Sequence, residues 1–279
     1  MRELDLTLPG GGTLHAYDSG PDDAPVVVLW HHGTPNIGTP PAPLAAASQA
    51  LGIRWISYDR PGYGGSTPAP GRDIASAAEL ATALTHELGI ECLAVMGHSG
   101  GGPHALACAA LMPDQVFAAV VMAGLAPFDA DGLDWFAGMA DSGVATLRAA
   151  AAGPGQRRWH EATFGDDYDP EFNAADLATL RGPWAWLEAV VGPALAGGPD
   201  AAIDDDLAYV APWGFAVEQV TAPVLVLHGG GDRVVPSPHG SWLAAQVQQG
   251  ELRLSRGDGH LSVLEGGADA LEWIVQQDP

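Results

Sequence analysis

Residues 92–102 constrain the fold of this chain more than any other stretch. Cys92-Leu93-Ala94-Val95-Met96 is a short apolar run of buried-strand character. Residues 103–111, rich in Ala and Leu, read as a helix. Between them, Gly97-x-Ser99-x-Gly101 has the pattern of a strand-to-helix turn that holds a serine in a strained backbone conformation with its hydroxyl exposed. Small residues flank Ser99 because strand and helix pass so close there that a Cβ would clash. The N–H of Gly100 falls at the N-terminus of the helix, where partial positive charge can meet a developing oxyanion.

The same alternation of strand and helix runs through most of the chain. Leu4-Asp5-Leu6-Thr7-Leu8 and residues 13–17, separated by Pro9-Gly10-Gly11-Gly12, read as a hairpin. Residues 26–30, 54–58, 116–123, 223–228 and 251–254 are further strands, and residues 74–88 and 261–276 have helical spacing. Between 125 and 213 the texture changes to Ala-rich helical stretches with Gly and Pro breaks, holding Trp135, Trp159, Trp184, Trp186 and Trp213. The expected architecture is α/β: a mostly parallel twisted sheet with helices on both faces. Residues 1–124 and 214–279 form its core, and 125–213 a helical cap. A functional site then belongs at the carboxyl ends of the strands, under the cap.

Composition narrows the function. The net charge is −23, from 34 acidic and 11 basic residues, and every basic residue is Arg. Without lysine there is no P-loop. Nucleic acid and anionic membranes would be repelled by such a surface, so neither is an expected partner. No apolar run approaches the roughly 18–20 residues that cross a bilayer, and the first residues lack a basic start followed by an apolar stretch. The expected location is cytoplasmic. Cys92 and Cys108 read as buried packing residues. The ten histidines form no His-x-x-x-His pair with a third ligand, so no metal is expected, and no cofactor.

A serine hydroxyl needs an adjacent base, itself oriented by a third group, to act as a nucleophile. Gly229-Gly230-Gly231-Asp232-Arg233-Val234-Val235-Pro236 puts a carboxylate on a glycine loop at a strand's carboxyl end. Gly257-Asp258-Gly259-His260 follows the last short strand. Asp258, Asp129 and residues 204–206 lack such a loop and read as turn or solvated positions.

With these pieces in order, the chain resembles the α/β-hydrolase family over nearly its whole length. The matching segments are His32-Gly33-Thr34-Pro35, Asp59-Arg60-Pro61-Gly62-Tyr63-Gly64-Gly65-Ser66, Gly97-His98-Ser99-Gly100-Gly101, Gly231-Asp232-Arg233-Val234-Val235-Pro236 and Gly259-His260. The resemblance implies that Ser99 is the nucleophile, His260 the general base and then acid, and Asp232 the orienting carboxylate. It also implies an oxyanion hole from the backbone N–H groups of Thr34 and Gly100. A serine nucleophile sets aside the carboxylate-using branches of the family.

The expected activity is hydrolysis of a small-to-medium, largely apolar carboxylic ester or lactone through a Ser99 acyl-enzyme. A carbon–carbon bond hydrolase of diketone-type substrates would use the same three residues, as would an aminopeptidase acting on N-terminal proline. The loop His-Gly-Thr-Pro departs from the His-Gly-Gly-Pro-Gly of those aminopeptidases. A reading of another class is a ligand-binding module with negligible turnover. His31, beside the oxyanion loop, and Trp135 and Trp186 in the cap are expected to line the pocket. His32, His98 and His228 read as packing or backbone-bonded histidines.

Overall fold

Unbroken apolar runs become strands here because both faces of the sheet are covered. The computed structural model describes residues 1–277. In chain order its elements are β1 (Arg2–Thr7), β2 (Thr13–Ser19), β3 (Val26–His31), α1 (Ala45–Leu51), β4 (Ile53–Tyr58), α2 (Ser76–Leu88), β5 (Leu93–His98), α3 (Gly101–Leu111) and β6 (Val116–Met122). Five helices follow: α4 (Asp141–Ala151), α5 (Pro154–Phe164), α6 (Ala174–Thr179), α7 (Leu187–Leu195) and α8 (Asp200–Val210). The chain then returns to the sheet with β7 (Val224–Gly229), α9 (Pro238–Gln246), β8 (Gly250–Ser255) and α10 (Gly267–Val275).

The strands form one sheet in the order β1-β2-β4-β3-β5-β6-β7-β8. The hairpin β1–β2 and its junction with β4 are antiparallel, and every other pairing is parallel. Successive side chains point to opposite faces of a strand. Leu29, Val95, Val121 and Val226 therefore pack on one side with Leu84 of α2 and Leu106 of α3. Their neighbours Trp30, Met96, Val120 and Leu225 pack on the other with Leu271 and Ile274 of α10. Burying one such side chain contributes about 1.5–3 kcal/mol. Central β5 is buried along its whole length, and so is α3 from Gly101 to Ala110.

Several sequence expectations are corrected. One helix was expected over 261–276, but a 3-10 turn occupies Ser262–Gly266 and α10 starts at Gly267. Leading into that turn, the N–H groups of His260, Leu261 and Ser262 are all turned to Asp176. Cys92 is exposed and precedes β5, whereas Cys108 is buried. Residues 125–140 carry no helix, and Leu125, Trp135 and Met139 join the same core cluster as Val121. The inserted helices begin at Asp141. No helix among the described residues is long and apolar enough to cross a membrane.

Candidate active site

Ser99 sits between β5 and α3 with φ of 54°, a left-handed conformation that an L side chain adopts at a cost of about 1–2 kcal/mol. Two backbone bonds hold it there: Ser99 N–H donates to Met122 O at 2.8 Å, and its own carbonyl accepts from Gly102 N–H at 2.9 Å. The turn is tight because a Cβ at Gly97 would lie 2.2 Å from Gly101 O. Ser99 Oγ is thereby turned toward His260, which follows the loop after β8.

His260 Nε2 lies 2.9 Å from Ser99 Oγ, and its Nδ1 lies 2.8 Å from Asp232 Oδ2. Asp232 follows β7, and its Oδ1 accepts the N–H groups of Val234 and Val235 at 2.8 and 2.9 Å. Burial pushes the Asp232 carboxyl up, but His260 and His228 beside it outweigh this and hold it well below the usual carboxylate range. An ionised Asp232 can only accept, so Nδ1 carries the imidazole proton and Nε2 turns its lone pair to the Ser99 hydroxyl. The peptide of His260 is fixed as well. His98, next to Ser99, donates from Nε2 to His260 O at 3.0 Å.

Across from His260 stands the loop after β3. Thr34 and Gly100 both line the cavity that Ser99 opens into. Neither of their N–H groups has a protein acceptor among the described residues. Gly100 is hemmed in by Tyr209 and Thr34: a Cβ there would lie 2.0 Å from Tyr209 Oη and 2.7 Å from Thr34 Oγ1. The loop is held from behind by Arg60, whose guanidinium donates to His32 O and, at 3.1 Å, to Gly33 O. Both ring nitrogens of His32 are taken up by backbone, through Gly33 O and Arg60 N–H.

The cavity measures about 900 Å³. Leu125, Leu147, Phe164, Leu195, Val234 and Val235 give it apolar walls. Its helical side carries Asp141 of α4, Glu161 of α5, Asp166 and Asp167 of the 3-10 turn that follows α5, and Asp206 of α8. Arg157, also in the wall, is engaged by Asp206 at 2.7 Å and Glu161 at 2.8 Å. Burial raises the Asp206 carboxyl to about 6. No group of metal-ligating side chains occurs among the described residues.

The model of the alpha/beta hydrolase fold matches residues 26–267. The chain belongs to this family. Among curated relatives, it is 28% identical over 254 residues to a bifunctional esterase/perhydrolase of Acinetobacter calcoaceticus, covering 88% of this chain and 89% of that one. It is also 28% identical over 273 residues to a 2-hydroxy-6-oxononadienedioate/2-hydroxy-6-oxononatrienedioate hydrolase of Cupriavidus pinatubonensis, covering 91% and 88%. Its fold superposes on a bromoperoxidase from Bacillus anthracis with a TM-score of 0.75 at 21% identity, covering 99% and 100%.

Three expected pocket residues lie elsewhere in this α/β hydrolase. His31 is the last residue of β3, and strand alternation turns its ring under α3, stacked on His104 and 3.5 Å from Cys108 Sγ. Trp135 is 5% exposed; its ring packs on Phe128 and His239, and its Nε1 donates to Ala126 O. Trp186 packs edge-on against Trp184 on the opposite side of the sheet. None of the three lines the cavity.

Sequence reasoning missed two buried carboxylates of the inserted helices. Asp205 of α8 is fully buried and accepts from Arg60, Arg72, Tyr63 and Thr34. Burial pushes its carboxyl up, but Arg60 and Arg72 outweigh this and hold it well below the usual range. The run at 204–206 reads as solvated, yet Ala201, Asp205, Ala208 and Tyr209 are buried at helical spacing, and that stripe was the available signal. Asp176 of α6, 1% exposed, accepts from the backbone of the His260 loop. Nothing local in the sequence marks it.

Proposed function

We propose that this α/β hydrolase cleaves a small-to-medium, largely apolar, uncharged carboxylic ester or lactone through a Ser99 acyl-enzyme. The observation that carries the reading is His260 bridging Asp232 and Ser99, the latter lining a cavity with apolar walls. His260 Nε2 takes the Ser99 proton as Oγ attacks the carbonyl carbon, and Asp232 stabilises the imidazolium. The N–H groups of Thr34 and Gly100 receive the oxyanion, each such donor being worth about 3 kcal/mol in comparable enzymes. His260 then protonates the departing alkoxide. Water, deprotonated by His260, attacks the acyl carbon, and His260 returns that proton to Ser99 Oγ as the acyl–oxygen bond breaks and the acid departs.

The esterase named in the Acinetobacter relative supports the ester reading. A dicarboxylate such as that named for the Cupriavidus relative suits this cavity poorly, because Arg157 is already engaged by two carboxylates. A second reading has a specific observation behind it. The carboxylates around the cavity would favour a substrate with a free ammonium group, as an aminopeptidase acting on N-terminal proline requires.

Treatment with a fluorophosphonate, followed by intact mass and peptide mapping, tests the reading. The expected result is one adduct, on Ser99, and none in His260→Ala. Folded wild-type protein without an adduct would sink the hydrolase mechanism and favour a ligand-binding module on the same fold. With labelling established, faster turnover of a prolyl arylamide than of a p-nitrophenyl ester would replace the first reading by the second.

A further inference from the structure

The N-terminus of α6 lodges between the two loops that carry Asp232 and His260. Asn173 caps the helix, its side-chain oxygen accepting Asp176 N–H at 2.9 Å. Its amide nitrogen faces both loops: a Cβ at Gly231 would lie 2.9 Å from it, and one at Gly259 would lie 2.7 Å away. At Gly259 the same Cβ would lie 2.2 Å from Asp176 Oδ2. Both glycines, one in each sequence motif, leave the room that this helix occupies.

Asp176 uses both carboxylate oxygens on the His260 loop. Oδ2 accepts His260 N–H at 3.1 Å; Oδ1 accepts Leu261 N–H at 2.9 Å and both the N–H and the hydroxyl of Ser262 at 2.8 Å. Ser262 Oγ in turn accepts Gly259 N–H at 2.7 Å. Since His98 takes His260 O, both polar groups of the His260 main chain are fixed, and the imidazole is left to meet Ser99 and Asp232.

We propose that Asp176 is a positioning residue for His260, so that a helix of the insert aligns the base of the reaction. The proposal rests on the Ser99 hydrolase reading above. Asp176 does not line the cavity, so it acts on the imidazole's placement and not on substrate binding. Misplacement of a catalytic group by about 1 Å can cost about 100-fold in rate.

The test is a cycle of Asp176→Asn and His260→Ala, read as kcat and KM on an activated ester together with thermal melting. Asp176→Asn keeps one acceptor oxygen but turns an NH2 toward backbone donors. In the wild-type background, kcat is expected to fall about 100-fold with KM little changed. In the His260→Ala background, whose residual rate comes from the oxyanion hole and binding, it is expected to have no further effect. An unchanged kcat overturns the proposal, and so does an equal fall in both backgrounds, which a general loss of structure would give. Should Asp176→Asn fail to fold, Ser262→Ala decides: a smaller fall in kcat at constant KM supports the proposal, and no fall overturns it. An inactive, unlabelled wild-type protein overturns the hydrolase reading itself, which an active wild type with an indifferent Asp176 does not.

Discussion

Arg60 and Asp205 meet side-on, Nη2 to Oδ2 at 2.7 Å and Nε to Oδ1 at 3.2 Å, in a place where neither side chain is more than 2% exposed. The pair joins the loop after β4 to helix α8. Through Arg60 Nη2, 2.9 Å from Thr34 Oγ1, it also fixes the loop that carries one of the two proposed oxyanion donors. Removing one partner of a buried pair leaves an uncompensated charge, which costs about 3–5 kcal/mol. Asp205→Ala, which strands Arg72 as well as Arg60, is therefore expected to lower stability by about that amount in urea unfolding. A loss below about 1 kcal/mol, the range of surface ion pairs, would show that the pair does not hold the loop.

Asp232→Asn tests the orienting role separately from stability. The amide can still accept Val234 and Val235 N–H through its oxygen. Its NH2, however, turned to His260, would favour a proton on Nε2, the nitrogen that must receive the Ser99 proton. The expected outcome is a kcat lower by about 10⁴-fold with the folded circular-dichroism spectrum retained. Full activity would mean that another acid orients His260.

What the sequence made legible is what local pattern encodes. Strands with both faces covered show as unbroken apolar runs, and Ser99 and Asp232 each follow such a run at its carboxyl end, whereas His260 follows β8, whose residues alternate and are exposed throughout. Pocket shape is not local. His31 adjoins the Thr34 loop in sequence, yet as the final residue of β3 it obeys the strand's alternation and points beneath α3. Trp135 and Trp186 are amphipathic rings in a helix-rich stretch, and only the packing of Phe128, His239 and Trp184 decides that both are turned away from the cavity. Asp176 and Asp205 were hidden for the opposite reason. A carboxylate reads as solvated until its partners, distant by 84 and 145 residues at His260 and Arg60, are brought to it.

Acid should unfold the protein from well above the carboxylate range. Burial pushes His31 and His98 down to about 3 and His239 to about 4. Each is therefore neutral when folded, while the same side chain in the unfolded chain takes a proton near pH 6.5. Across that window the unfolded state binds more protons, so the contribution to stability is complete above about pH 6.5 and drains away as the pH falls toward 3–4. Asp232 and Asp205, held low, add to the loss below about pH 4. Asp206, raised to about 6, acts the other way and recovers a smaller amount between about pH 6 and 4. Urea midpoints measured at pH 7, 5.5 and 4.5 are expected to fall in that order; a flat profile would contradict the neutral buried histidines.

Charge at the cavity should set which esters enter. With Arg157 engaged by Asp206 and Glu161, an incoming carboxylate meets Asp141, Asp166 and Asp167, and no other Arg lines the cavity among the described residues. Between like charges about 4 Å apart such repulsion amounts to about 1 kcal/mol in bulk water and to more near a protein surface. A p-nitrophenyl ester ending in a carboxylate is therefore expected to show kcat/KM about tenfold below its uncharged counterpart, mostly through KM. The ratio should shrink in high salt, which screens exposed charges beyond about 10 Å at 0.1 M. It should shrink again as the pH is lowered through about 6, where Asp206 takes up a proton, and Asp206→Asn should abolish that second dependence. The control is a choline-type ester, whose cation should be favoured under the conditions that penalise the anion. Equal kcat/KM for all three esters at low salt would mean that the reacting ester binds clear of the acidic side of the cavity.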